Sequence, residues 1–136
     1  VTPMQLCVYI NKIATNGNTY VPHFKLNSEP IPVNPISIKQ NTWLSIQNYL
    51  FNAVNSVNGT GLPANPQIGG VNVYGKTGTA QNPHGDDHAW FIGYADNGKQ
   101  MVSIVLLIEN GGSGGKVAAP VAGNAFEFIF SKKISI

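Results

Sequence analysis

Val71-Asn72-Val73-Tyr74-Gly75-Lys76-Thr77-Gly78-Thr79 opens on an apolar–polar alternation and then runs into Gly75-Lys76-Thr77-Gly78-Thr79. A period of two is the pattern of a strand. From Gly70 to Thr77 the same letters also satisfy a phosphate-binding loop, G-x-x-x-x-G-K-[ST], and the run Ile104 to Glu109 loosely imitates its acidic strand end. Such a loop needs flexible backbone between its glycines and a helix starting at the lysine, so that N–H groups converge on phosphate. Here the interval is β-branched and alternating, and Asn82-Pro83 downstream opposes a helix. The spacing therefore predicts that Lys76 lies on a strand.

Working outward, residues 89–95 make a second strand candidate, and Asp96-Asn97-Gly98-Lys99 reads as a tight primed hairpin turn. Met101–Ile108 is apolar almost throughout and is expected to be a third strand covered on both faces. After a glycine tract at 111–115, Pro120 is expected to open a last helix through Phe130, with Val121, Ala125 and Phe128 on one face. Upstream, Thr2 can cap a helix with Pro3 in its first turn and Gly17 past its end. Leu6, Ile10 and Ile13 share a face of that helix. Four prolines within 18–40 forbid a helix there and allow at most a short edge strand near 19–24. Helical spacing returns over 41–55, with Trp43, Ile46, Leu50 and Val54 aligned, and Asn58-Gly59-Thr60-Gly61-Leu62-Pro63 breaks it. The expected order is two helices, a three-stranded antiparallel meander and a helix: a mixed α/β (α+β) chain.

With 136 residues the chain has room for one compact domain or part of a larger one. Its 43% apolar content against 10% charged residues argues against disorder and suggests a piece with little free surface. The positive residues are eight lysines and no arginine, which disfavours nucleic-acid binding because the planar forks for phosphate are missing. The single Cys7 excludes an internal disulfide framework and reads as a small hydrophobe within a helix. No apolar run reaches the roughly 18 residues of a membrane span. The first residue is Val1, as expected of a processed or truncated start.

The candidate site is Lys76, Thr77, Gly78 and Thr79. The two threonines, two positions apart on a strand, point to the same side. With the lysine charge they form a cradle for a carboxylate, and Gly78 lets a substrate backbone lie against the strand. His84-Gly85-Asp86-Asp87-His88 gathers four potential metal ligands, but such a loop is more often a solvated turn; Asp87 and His88 serve equally as a hydrogen-bonded brace beside the Lys76 strand, and no metal or other cofactor is expected. Trp90, Phe91 and Tyr94 read as core and sheet-face residues.

Lys76-Thr77-Gly78-Thr79-Ala80-Gln81 followed by Asp87-His88-Ala89-Trp90-Phe91-Ile92-Gly93-Tyr94-Ala95 resembles the end of a penicillin-binding protein transpeptidase domain, and Val1-Thr2-Pro3-Met4-Gln5-Leu6 resembles the helix before it. The Asp-His-Ala-Trp-Phe wording leans toward the class B, elongation-type members called penicillin-binding protein 2. The resemblance implies a partial serine β-lactamase/transpeptidase fold, an antiparallel sheet flanked by helices, with residues 1–136 as the C-terminal part of the domain. It also implies a peptidoglycan D,D-transpeptidase acting through a serine acyl-enzyme. Of the motifs S-x-x-K, S-D-N and K-T-G, only the third is securely present, so the nucleophile is expected outside the chain and the chain alone is expected to be inactive.

Two stretches imitate the missing motifs. Ser113-Gly114-Gly115-Lys116 has the letters of S-x-x-K, but it follows the K-T-G strand and its glycines are not expected to hold a helix. Ser56-Val57-Asn58 has those of S-x-N, but lies only a short way before Lys76.

By resemblance, Lys76 draws the substrate carboxylate and supports proton transfer, Thr77 and Thr79 hold that carboxylate, and the Thr79 N–H is an oxyanion-hole donor. The implied partners are peptidoglycan stem peptides, β-lactam antibiotics, the remainder of the transpeptidase domain and a membrane-embedded glycan polymerase of the SEDS family. The implied location is the extracytoplasmic, periplasmic face of the inner membrane, through a helix outside this chain. The alternative is a non-catalytic module of the same fold that binds muropeptide or a protein partner.

Overall fold

The computed structural model describes residues 1–131. The first helix, α1, spans Pro3–Ala14 and is closed at both ends by its own sequence. The Thr2 hydroxyl accepts from the Gln5 N–H, and the Gln5 side chain accepts from the Thr2 N–H, a complete capping box. At the other end Asn16 takes the left-handed conformation (φ 54°), and the Gly17 N–H reaches the Lys12 carbonyl at 2.7 Å. Gly17 closes the helix as expected, with positive φ (96°), and Asn16 before it adopts positive φ as well because its short polar side chain tolerates it.

The proline-rich segment yields a two-residue ladder, β1 (Thr19–Tyr20) against β2 (Pro32–Val33), rather than a longer strand over 19–24. Pro32 is tolerated because so short a ladder is all edge. Helix α2 (Gln40–Asn55) begins one residue before the expected start and buries Trp43 and Val54.

Strands β3 (Asn72–Ala80), β4 (His88–Asp96) and β5 (Met101–Ile108) form an antiparallel meander in that order. The register sets Lys76 opposite Ile92 and Thr79 opposite Ala89. Lys76 is thus fully within a ladder, which removes the phosphate-loop alternative. The β4–β5 hairpin differs from the expected turn. Of Asn97 and Gly98 only Gly98 has positive φ (78°), and the Asn97 side chain instead accepts from the N–H groups of Lys99 and Gln100.

Helices cover both faces of the sheet. On one side Ile10, Ile13 and Trp43 pack with Tyr94, and Tyr74 stacks on Tyr94 at 4.6 Å. On the other, Phe91 and Phe126 are wholly buried with Val73, Ala118, Ala119 and Ala122. Burying side chains of this size contributes about 1.5–3 kcal/mol each. Strand β5 is covered on both faces only in part: α1 packs on one, Ile104, Leu106 and Ile108 join the core on the other, and none of its residues is fully buried, because it pairs only with β4 and ends the sheet among the described residues.

The glycine tract also departs from expectation. Gly114–Ala118 form a π-helical turn that leads directly into α3 (Ala119–Ser131), so the helical segment starts before Pro120. Tertiary packing overrides the low helix propensity of glycine here. A Cβ on Gly114 would lie 2.2 Å from the Gly78 carbonyl oxygen and 2.5 Å from that of Trp90, so only glycine fits. The inward face of α3 is Ala119, Ala122, Gly123 and Phe126 rather than Val121, Ala125 and Phe128; Val121 and Phe128 are 43% and 51% exposed. The small-residue stripe wins because it admits the closer approach: a Cβ on Gly123 would meet the Pro63 carbonyl oxygen at 2.4 Å.

Candidate functional site

An open cleft of about 620 Å³ runs along one end of β3. Its lining brings Lys76, Thr77, Gly78 and Thr79 together with Thr60 from the turn after α2 and with Ser113, Gly115 and Lys116 from the π-helical turn. That lining holds two lysines and no acidic residue, so the cleft attracts anions.

The strand alternation divides the four candidate residues. Thr77 and Thr79 share the face that carries Val73 and the Phe91–Phe126 core, whereas Lys76 and Gly78 share the opposite face, near Leu6 of α1, Trp90 and Ile92. The cradle therefore wraps the strand instead of sitting on one side of it. Exposed Lys76 turns its Nζ back to the carbonyl of Thr77 at 2.7 Å. The Thr77 and Thr60 hydroxyls lie 2.8 Å apart, and the Gly114 N–H donates to the Thr79 hydroxyl at 3.3 Å. On the Lys76 side a Cβ on Gly78 would lie 3.3 Å from the Trp90 Cβ, and on the threonine side Gly114 of the chain itself already lies against the Gly78 backbone.

The flanking polar groups have structural partners. His88 Nδ1 accepts from the Asn110 N–H at 3.0 Å, and the Asp87 carbonyl accepts from the Gly112 N–H at 2.7 Å. Asn82 reaches Asn110 Oδ1 at 2.8 Å, joining the loop after β3 to the end of β5. These contacts brace the loop, as the spacing of Asp87 and His88 suggests. Ser56 ends α2 and is exposed, and neither it nor Asn58 lines the cleft. Ser113 and Lys116 do line it, but Ser113 is an extended cap preceding the turn rather than a helical residue.

Thr60 and Gly114 were not singled out from the sequence. Thr60 was read only as part of a helix breaker, and its contact with Thr77 spans 17 positions, beyond any local pattern. A second cleft, of about 500 Å³, lies between α1 and 19–23 and includes Cys7, whose thiol pKa is raised by burial. It shares no lining residue with the Lys76 cleft.

The pattern of the penicillin binding protein transpeptidase domain matches residues 1–127. The chain belongs to that family. Among its relatives is the peptidoglycan D,D-transpeptidase MrdA of Haemophilus influenzae, 30% identical over an alignment that covers 98% of this chain and 24% of the relative. The protein of the same name from Salmonella typhimurium is 25% identical and is covered over 25% of its length. The chain thus spans about a quarter of these relatives.

Solved structures agree with the transpeptidase fold. Penicillin-binding protein 2 of Pseudomonas aeruginosa, solved in complex with WCK 5153, superposes with a TM-score of 0.77 at 28% identity, over 94% of this chain and 30% of that one. The penicillin-binding protein 2 of Helicobacter pylori, solved in complex with MreC, gives 0.76 at 24% identity over 96% and 25%. The chain is thus similar to a penicillin-binding protein 2, as expected, and the sheet with helices on both faces is the fold of these solved structures.

Proposed function

We propose that this chain is the C-terminal part of a transpeptidase domain that cross-links peptidoglycan stem peptides through a serine acyl-enzyme and is acylated by penicillin. The observation that carries this reading is the convergence of Lys76, Thr77, Gly78 and Thr79 on one anion-attracting cleft at the end of β3, in a chain of this family.

In this reading the serine hydroxyl of the rest of the domain attacks the carbonyl of the penultimate residue, or of the β-lactam. The ester forms as the C–N bond breaks, and the amine leaves with a proton. Lys76 supplies positive potential beside the attacking serine and supports the proton transfer. The Thr77 and Thr79 hydroxyls hold the terminal carboxylate, and the Thr79 N–H is one of two donors to the developing oxyanion. Removing one such donor typically costs about 2.7–4 kcal/mol of transition-state stabilisation.

The remainder of the domain is also the partner that the surface calls for. Among the described residues the outer edge of β5 has no strand beside it, which leaves it open to further strands. Phe24 and Leu26 in the proline-rich segment are 93% and 84% exposed, apolar area that a covering segment would bury. No helix among the described residues is long and apolar enough to cross a membrane. We place the anchoring helix outside this chain, the domain on the extracytoplasmic side, and a SEDS-family glycan polymerase as its membrane partner.

Labelled penicillin tests the assignment. The chain alone is expected to form no covalent adduct, whereas the full-length polypeptide is expected to form one on a serine outside 1–136. A stable adduct on Ser113, or on any serine of this chain, overturns the placement of the nucleophile. A full-length polypeptide that binds muropeptide yet is never acylated is a binding module, not an enzyme.

A further inference from the structure

We infer that Thr60 is a positioning residue that directs the Thr77 hydroxyl at the substrate carboxylate; this rests on the reading of β3 as the carboxylate-binding strand. The two hydroxyl oxygens are 2.8 Å apart, and either can be the donor. A threonine hydroxyl has one proton to give and two lone pairs to accept with, and an ionised carboxylate only accepts. Once a carboxylate sits on Thr77, the Thr77 proton belongs to it. The contact with Thr60 then remains a hydrogen bond only if Thr60 donates. Ligand and scaffold thus fix a single direction, from Thr60 to Thr77 to carboxylate, and each bond in such a chain polarises the next.

The other threonine is served in the same way by a different group. Thr79 Oγ1 accepts from the Gly114 N–H at 3.3 Å, a donor that cannot reverse, and so its own proton is also left for the ligand. Both carboxylate-facing hydroxyls therefore receive a donor from a segment outside the K-T-G strand. One donor is a backbone group, the other a side chain.

Thr60 is held well enough for this task. The Gly61 N–H bonds the Ala53 carbonyl at 2.9 Å, folding the turn back on α2. Asn55 ties that end of α2 to β3 through the Val73 carbonyl at 2.8 Å and accepts from Asn65 at 2.8 Å. Gly115 presses on the turn from the other side, where a Cβ would lie 2.8 Å from the Thr60 carbonyl oxygen.

The test uses the full-length polypeptide and two acylating probes, benzylpenicillin and its uncharged methyl ester. Thr60→Val keeps the shape and removes the hydroxyl. It is expected to slow acylation by the free acid roughly three- to tenfold, the range of one ordinary hydrogen bond. The loss should lie in the affinity of the pre-covalent complex, with the ester reacting at its original rate. Thr60→Ser should restore the free-acid rate. Free-acid kinetics unchanged in Thr60→Val, or a loss that is equal for acid and ester and is not rescued by serine, overturns the inference while leaving the K-T-G assignment standing. If the unsubstituted protein itself makes no distinction between acid and ester, the carboxylate-binding strand is misread and the role of Thr60 falls with it.

Discussion

The two faces of β3 are built to different degrees. On the threonine side each hydroxyl meets a group from a distant segment, Thr60 for Thr77 and Gly114 for Thr79, and the wholly buried Phe91 and Phe126 belong to the core on that side. On the lysine side, among the described residues, Lys76 Nζ bonds the carbonyl of its own neighbour, and a small cleft is lined by Lys76, Leu6 and Trp90. In the proposed site, then, the threonine side is a finished wall and the lysine side an unfinished one. A hydroxyl can be aimed by backbone nearby, whereas a lysine charge gains its role from the ionisable groups placed opposite it. In the proposed enzyme those groups come from the rest of the domain.

The largest effect should follow from removing the unfinished half. In the full-length polypeptide, Lys76→Ala is expected to reduce the rate of acylation by penicillin on the order of 10²–10⁴-fold, the usual range for a group that assists proton transfer. Thermal stability should hardly change, because Lys76 is exposed. Stopped-flow acylation beside a melting curve checks both. An unchanged acylation rate would remove Lys76 from the mechanism and with it the contrast between the faces.

Gly114→Ala attacks the finished half through the backbone. The new methyl would meet the Gly78 and Trp90 carbonyl oxygens at 2.2 and 2.5 Å, and neither is a side chain that can swing away. Overpacking of this kind typically costs about 1–3 kcal/mol, and the Gly114 donor to Thr79 would be displaced with it. Denaturant unfolding of the full-length protein should show the loss, and carboxylate-bearing probes should lose affinity alongside. Full stability in this variant would mean that the turn at Gly114–Ala118 is not packed against β3 as described.

What was legible in the sequence tracks how local each cause is. The period of Val71-Asn72-Val73-Tyr74 and the apolar run Met101–Ile108 place two strands of the meander to within a residue, because strand patterning is written in adjacent positions. The capping box of α1 was half legible: Thr2 and Pro3 announce the start, and Gln5 completes it. The orientation of α3 was not legible, since Val121 and Phe128 are the larger side chains and yet face outward. The stripe that turned inward did so because it lets Pro63 approach Gly123, a contact across 60 positions that no helical wheel contains. The site divides in the same manner. Lys76-Thr77-Gly78-Thr79 stands in four consecutive letters, whereas Thr60 and Gly114 reach it only through folding.

The smallest expected effect separates the cores beneath the two faces. The buried cluster on the threonine side contains Val, Ala and Phe and nothing that titrates. The cluster on the lysine side contains Tyr94, 4% exposed, whose phenol is pushed well above its ordinary pKa by burial and, to a lesser degree, by Tyr74 and Asp96. Below about pH 10, where an unfolded tyrosine keeps its proton, this has no consequence. Above it the unfolded chain releases the Tyr94 proton while the folded chain retains it. The folded state then binds more protons than the unfolded one, and stability falls as pH rises. Tyr94→Phe removes that proton, so its unfolding free energy should decline less steeply between pH 10 and 11 than that of the unsubstituted protein, by at most one proton's worth of slope. Hydrogen exchange over the same interval should show α1 and α2 loosening before α3. Parallel pH slopes for the two proteins, or a loss of protection that begins in α3, would place the alkaline-sensitive core on the other side of the sheet.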